Sequence, residues 1–590
     1  MVSQHDPKET KRRPRPAPGP VPKLCGADVE VGNLVRGFDP STSTCRAASQ
    51  LLLREIEGMP QSRWSGSGWT SSQYGYSHSC TTADGAWGYG GNGKTSQSAQ
   101  SKFYELDSQD WGRKFLISNG GCVYIDLNHL EACIPEVRSA FEFVAAWHAM
   151  LLVARRAMDR VNAMARDGFR VQVLVNNSDG RGNSYGSHLN FLLARAAWNN
   201  IFHRKPHHIA YLASHQVSSI AVTGQGKVGA ENNAPAVAYQ LSQRADFFEK
   251  ISGTQTTFER PLVNGRDEAL CGPRNYRGAD WAESDLARLH CIFYDSNLCH
   301  VACLLKVGMM QIVLAMLEAN RVNPALILDD PLEAVLRFSH DPSLQARARM
   351  ASGKKLTAVE LQLLFLEEAE NFVDRGGCDH VVPRAAEILA LYADTLHKLH
   401  AGDLDALAGR LDWVLKLRIL ERAMRKRPGL GWDSPEIKLL DHLYSSLDPA
   451  EGFYWIYEKA GATEQVASPA EIERFVHEPP DDTRAFTRAM LLRLAEPGQV
   501  NRIEWDSICF KLAGRSGWPI YRTLEMPDPL GFTKAQTAAW LASGQPLDAI
   551  LDRLMTIDAA GSISHDTLGS SDAASPPKPL LLPAPPEKSL

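Results

Sequence analysis

An α+β fold, with a mainly antiparallel sheet followed by a helical region and a small mixed domain, is what this sequence predicts. Short runs with strand character recur in its first half: 122–125, 170–175, 218–223, 238–242, 261–264 and 289–294. Several are joined by short turns, which favours antiparallel pairing over crossover units. Amphipathic stretches at 137–166 and 299–319 interrupt them, and beyond about Asp329 the pattern is almost wholly helical. There 356–373, 385–399 and 404–426 carry apolar residues at three- and four-residue spacing. A chain of 590 residues, 44% hydrophobic, is too long for one ordinary core, so at least two domains are expected.

Taken in order, residues 1–23 are rich in Pro, Lys and Arg and read as a disordered basic tail. The large domain follows over 24–465, interrupted at 61–101 by a Gly-, Ser-, Tyr- and Trp-rich inserted loop, with 330–465 mainly helical. A small C-terminal domain is expected over 466–560 and a second disordered tail over 561–590. Net charge is −5, from 63 basic and 68 acidic residues, which argues against a nucleic-acid or membrane-surface protein. No segment is expected to be long and apolar enough to span a bilayer. Eleven scattered cysteines without a secretory signal suit a reduced, cytoplasmic protein.

The chemistry concentrates in a few stretches. Asn119-Gly-Gly-Cys-Val-Tyr-Ile-Asp126-Leu-Asn-His129-Leu-Glu131 delivers two acids and an imidazole from the end of a short apolar strand. An isolated Asp there would more often cap a helix or form a turn. Cys25-Gly-Ala-Asp28-Val-Glu30 puts two acids on one strand face, as a divalent-cation site requires; an exposed strand face is the bland alternative. The stretch 175–190 packs Asn, Gly and Ser around Arg181, Tyr185 and His188, and its backbone could approach a phosphate unless it is a plain polar turn. Gly224-Gln-Gly226-Lys-Val-Gly229 repeats that theme without the ending of a P-loop. Arg244, Arg260, Arg266 and Arg288 arrive singly on successive strands, beside acids and histidines. That suits a triphosphate held by guanidinium forks and Mg²⁺ better than four separate salt bridges.

These motifs, with Asn264-Gly-Arg-Asp-Glu, Arg288-Leu-His and Pro479-Pro-Asp-Asp-Thr-Arg484-Ala, resemble the family of the Pup ligase, proteasome accessory factor A, and the depupylase Dop. That family is similar in turn to glutamine synthetase and the carboxylate-amine ligases. The resemblance implies a curved glutamine synthetase-like sheet cradling ATP (or ADP and phosphate) and Mg²⁺. Asp28, Glu30, Glu131, His188 and His290 would be metal ligands and Asp126 the catalytic aspartate. Arg244, Arg260 and Arg266, with Ser242, Asn177, Tyr185 and Arg484, would contact the nucleotide. The implied partner is a small disordered Pup-like modifier and its lysine conjugates, with no nucleic acid and no membrane. The long insertion leans toward a Dop-like amidase or isopeptidase. A ligase joining the modifier's glutamate to lysine and a weakly active adaptor are the alternatives. Three departures stand out: Leu189 replaces the family's usual Glu, Asp28 its usual Glu, and Ala269-Leu-Cys-Gly its Pro-His-Ala-Asp.

Overall fold

Strand β1 (Cys25–Arg36) organises the molecule because its residues alternate between two environments: Val29, Val31 and Val35 enter the core, while Asp28 stays half-buried on the opposite face. The computed structural model describes residues 20–37, 45–60, 112–165, 168–268, 270–271, 274–275, 278–279, 285–514 and 517–559. The inserted loop 61–101, residues 1–19 and the tail 561–590 therefore lie outside the described residues. The remaining strands of the central sheet are β2 (Met59–Pro60), β3 (Lys114–Phe115), β4 (Cys122–Asp126), β5 (His129–Cys133), β6 (Arg170–Leu174), β7 (Ser187–Ala194) and β8 (Leu286–Cys291). Their order is β8-β7-β1-β5-β4-β3-β2, with β6 pairing the far half of β1. Every pairing in this sheet is antiparallel, as the sequence predicted.

Strands β4 and β5 close through a two-residue turn, with Asp126 directly opposite His129. Leu127 (φ 43°) and Asn128 (φ 77°) are both left-handed, which matches the right-handed strand twist in such hairpins. Helix α1 (Cys45–Glu55) pins the turn: Ser49 Oγ donates to the Asn128 carbonyl at 2.6 Å. Behind the sheet pack α2 (Ala140–Met164), α3 (Pro206–Thr223) and α4 (His300–Glu318). Contrary to the sequence expectation, helix α4 is long and apolar enough to cross a bilayer by length and composition, yet its apolar window is buried throughout.

Several expectations need correction. Ser218–Thr223 is not a strand but the last turns of α3, since tertiary packing overrides the strand propensity of Ile220, Val222 and Thr223. The strand expected over 238–242 shrinks to Tyr239–Gln240, and the one over 289–294 shifts to β8. The helix expected from Leu404 begins at Asp412 after a 3₁₀ turn at Asp405–Leu407. Residues 21–23, placed in the tail, are packed: Lys23 Nζ lies 2.6 Å from Glu318, and Val21 is buried.

Beyond residue 478, a three-stranded antiparallel sheet (Val500–Ile503, Ser507–Ala513, Pro519–Glu525) packs with helices at Ala485–Leu494, Lys534–Leu541 and Leu547–Ala559. Its apolar cluster, including Phe486, Ile508 and Phe510, continues into Phe115, Cys122 and Cys133 of the central sheet. A buried ion cluster clamps the junction. Glu136 meets Arg484 Nε at 2.9 Å and Arg488 Nη2 at 2.5 Å. Although burial pushes the Glu136 carboxyl up, the two guanidiniums hold it down at about 2.

Candidate active site

The side chains of β1, β5, β7 and β8 that face away from the core meet in one cavity of about 260 Å³, closed on one side by Trp505 and Pro529 of the C-terminal part. Asp28, Glu30, Asp126, Glu131, His188 and His290 all line it, as do Tyr185, Arg244, Arg260, Arg266 and Arg484. Strand alternation explains the gathering. Asp28 and Glu30 share a face of β1, while Glu131 on β5 and His188 on β7 lie opposite Glu30 and Asp28 respectively.

Three carboxylates form the tightest group: ligand atoms of Glu30, Asp126 and Glu131 lie within 4.8 Å of one another, an arrangement able to hold a metal ion. Their crowding shows in their protonation. Burial and then the charges of Asp28, Glu30 and Asp126 push Glu131 well above the usual carboxylate range, and burial with Glu30 also raises Asp126. A divalent cation would relieve that repulsion, so the donor set fits one.

Asp28, His188 and His290 form a second group. His188 Nδ1 is 3.1 Å from Asp28 Oδ2, and Asn190 Nδ2 donates to Asp28 Oδ1 at 2.7 Å. Burial pushes Asp28 up, but His188, by hydrogen bond and charge, holds it below its ordinary value. His290 Nδ1 is 3.0 Å from Asn190 Oδ1, and burial, then the charges of Arg288 and His188, drive His290 well down. Leu189, where the family's acid was missed, is buried in the core and points away from His188 and Asn190. Its substitution therefore removes nothing from the cavity.

The arginines divide. Arg244 is 1% exposed; its Nη1 donates to the Tyr185 carbonyl. Arg260 donates to the carbonyls of Thr256 (2.8 Å) and Ser184 (3.0 Å). Among the described residues neither has an ion-pair partner. Burial and then Arg244 pull Arg260 down to about 9, against the smaller opposing pull of Glu30 and Glu249. Arg266 is half-exposed, 4.0 Å from Glu268, which also meets Arg288 at 3.5 Å. Arg484, expected on the nucleotide, lines the cavity but commits its donors to Glu136, Met526 and Leu270.

Two expected nucleotide contacts are not brought here. Asn177 is fully buried, bonded to the Tyr185 carbonyl and Ser296, and Ser242 Oγ donates to Asp295 at 3.0 Å. Both brace the loops that carry Tyr185 and Arg244. Nor does the 175–190 loop offer a free phosphate cradle: Asp179 takes the Arg181 and Asn183 N–H groups, and Glu231 takes that of Gly182. Sequence reasoning missed Arg113, Tyr124, Glu136 and Trp505 of the lining, and strand β7 itself, although Leu189 and Phe191 alternate with His188 and Asn190 there. His129 stands behind the cavity, stacked on Tyr185 at 4.4 Å, its Nδ1 2.9 Å from the Val31 carbonyl.

The chain is 36% identical to a depupylase of Acidothermus cellulolyticus, over 73% of this chain and 81% of that one. It is 33% identical to a Pup–protein ligase of Acidimicrobium ferrooxidans, over 71% and 88%. Among solved structures, the Pup ligase PafA in complex with ADP superposes with a TM-score of 0.62 at 23% identity, covering 76% of this chain and 91% of that one, a likeness of fold. A family model described as Pup-ligase protein matches residues 24–509, and with these identities it establishes that the chain belongs to the Pup-ligase protein family.

Proposed function

We propose that the protein is a nucleotide-dependent amidase or isopeptidase of the depupylase kind. It acts in the cytoplasm on the C-terminal glutamine of a Pup-like modifier, or on the bond joining that modifier to a lysine. One observation carries the reading: Asp126, flanked by Glu30 and Glu131, shares a single cavity with two buried guanidiniums that form no ion pair among the described residues. An acid beside a cation-capable carboxylate group, facing cationic walls, suits chemistry on a carbonyl next to bound phosphates. The relative named a depupylase supports this direction.

In this reading Arg244 and Arg260 hold the phosphates of ATP or ADP through charge-assisted hydrogen bonds. Glu30 and Glu131, with Asp28, His188 and His290 nearby, would hold Mg²⁺, which would neutralise phosphate charge and polarise the reacting carbonyl. Asp126 takes the proton from the attacking water and returns it to the ammonia or lysine amine that departs as the C–N bond breaks. Tyr185, stacked on His129, and the Asn128 turn, tied to Ser49, keep the hairpin bearing Asp126 in place. Incubation of the protein with Mg²⁺, ATP and a Pup-type peptide ending in glutamine should convert the terminal amide to the acid, read by mass spectrometry. An unchanged peptide would sink the hydrolase reading.

The ligase reading is favoured by the relative named a Pup–protein ligase, and the same site would serve it if ATP phosphorylates the modifier's terminal glutamate and a lysine amine then displaces that phosphate. A peptide–lysine adduct would select it.

A further inference from the structure

The two glycine-rich stretches that the first cavity leaves unused, around Gly180 and Gly229, meet at a second cavity of about 300 Å³. Its charges are unevenly committed. Asp179 is taken by the backbone of its own loop, Glu231 by Lys227 (2.9 Å) and the Gly182 N–H, and Asp441 by Lys416 (2.8 Å) and the Val228 N–H. Lys227 is in turn shared with Asp246 at 2.8 Å. The Arg181 guanidinium and the Lys438 ammonium, both exposed at the lining, have no carboxylate partner among the described residues.

His442 adds a third donor, and its tautomer follows from its neighbours. Asn176 Oδ1 accepts from the Tyr185 hydroxyl (2.7 Å) and Asn176 Nδ2 donates to the Ser178 carbonyl (2.8 Å), which fixes the amide. The same Nδ2 donates to His442 Nδ1 at 3.3 Å, so Nδ1 accepts and Nε2 carries the proton. That Nε2 faces Gly180, where a Cβ would stand only 3.3 Å away and where φ is +70°, so glycine alone leaves the approach open.

We infer that this second cavity binds a phosphoryl group, free or on a small molecule, through Arg181, Lys438 and His442 Nε2. Arg181, Lys438 and His442 line one cavity in which Glu231 and Asp441 are paired to Lys227 and Lys416 and Asp179 is held by the N–H groups of its own loop, and a tetrahedral oxyanion offers each of the three free donors an oxygen. The loop that carries Arg181 runs on to Ser184 and Tyr185, whose carbonyls hold Arg260 and Arg244, so one segment borders both cavities.

Equilibrium dialysis of the full chain against labelled inorganic phosphate tests this independently of any activity. The variant R181A/K438A should bind one phosphate fewer per chain than wild type, and H442L should weaken that site several-fold. The surface variant K354A/K355A, with the same charge change elsewhere, should leave the count unaltered. A phosphomonoester that displaces phosphate at far lower concentration would mark the ester as the source. Equal stoichiometry in wild type and R181A/K438A, or an equal loss in K354A/K355A, overturns the inference.

Discussion

Asp126 stands at the end of an apolar strand because the backbone turns back immediately after it, and the turn puts Glu131 within reach on the returning strand. Replacing Asp126 with Asn preserves shape and removes the base, so the variant should keep nucleotide affinity within a few-fold. Its amide hydrolysis should fall by about 10²–10⁴, the usual worth of a positioned acid–base group. Unchanged turnover would remove Asp126 from its role. Arg244 and Arg260 predict the converse. Arg260→Met should weaken nucleotide binding about tenfold or more, because a charge-assisted contact to phosphate contributes about 1.5–3 kcal/mol. Calorimetric titration with ADP checks it, and equal affinity would place the phosphates elsewhere.

Between elements, the clamp of Glu136 with Arg484 and Arg488 joins the strand ends of the central sheet to the C-terminal part. Removing one partner from a buried cluster leaves the others uncompensated, so Glu136→Gln should cost about 3–5 kcal/mol at neutral pH, measured by denaturant unfolding. The sign with pH follows from a folded value held near 2 against an ordinary 4.5. The contribution is fully present above pH 4.5 and is lost as pH falls toward 2, so wild type and variant should converge there. A constant difference across that range would show that the carboxylate's charge is not what holds the junction. The elements themselves differ in how far the sequence revealed them. Strand β4 and its acids were readable because the apolar run, the glycines before it and the turn after it are local signals. Helix α3 was hidden: it is buried on nearly all sides, shows no polar stripe, and ends in β-branched residues that mimic a strand. Asn177 and Ser242 were expected on the nucleotide through the family resemblance, and a sequence motif reads alike whether its polar residue meets a ligand or, as here, Ser296 and Asp295; only the packing decides.

At the scale of the molecule, one cavity gathers residues more than 250 positions apart, from Asp28 to His290, and the C-terminal part closes it with Trp505 and Pro529. Such a site is legible in sequence as a set of acids and arginines, but of the arginines expected on successive strands only Arg288 lies on one, Arg244, Arg260 and Arg266 standing in the connecting segments, and their convergence is a property of the sheet order, which no local pattern encodes. A ligand that binds only the folded state stabilises it, so ATP with Mg²⁺ at about 100 times its dissociation constant should add about 2.7 kcal/mol. Raised thermal stability with both, and a smaller rise with ATP after chelation, would place the cation and nucleotide together. The most direct measurement remains the fate of a Pup-type peptide ending in glutamine, incubated with the protein, Mg²⁺ and ATP and weighed by mass spectrometry. The account predicts conversion of the terminal amide to the acid in wild type and none in Asp126→Asn. An unaltered peptide, or one joined to lysine without deamidation, would contradict it.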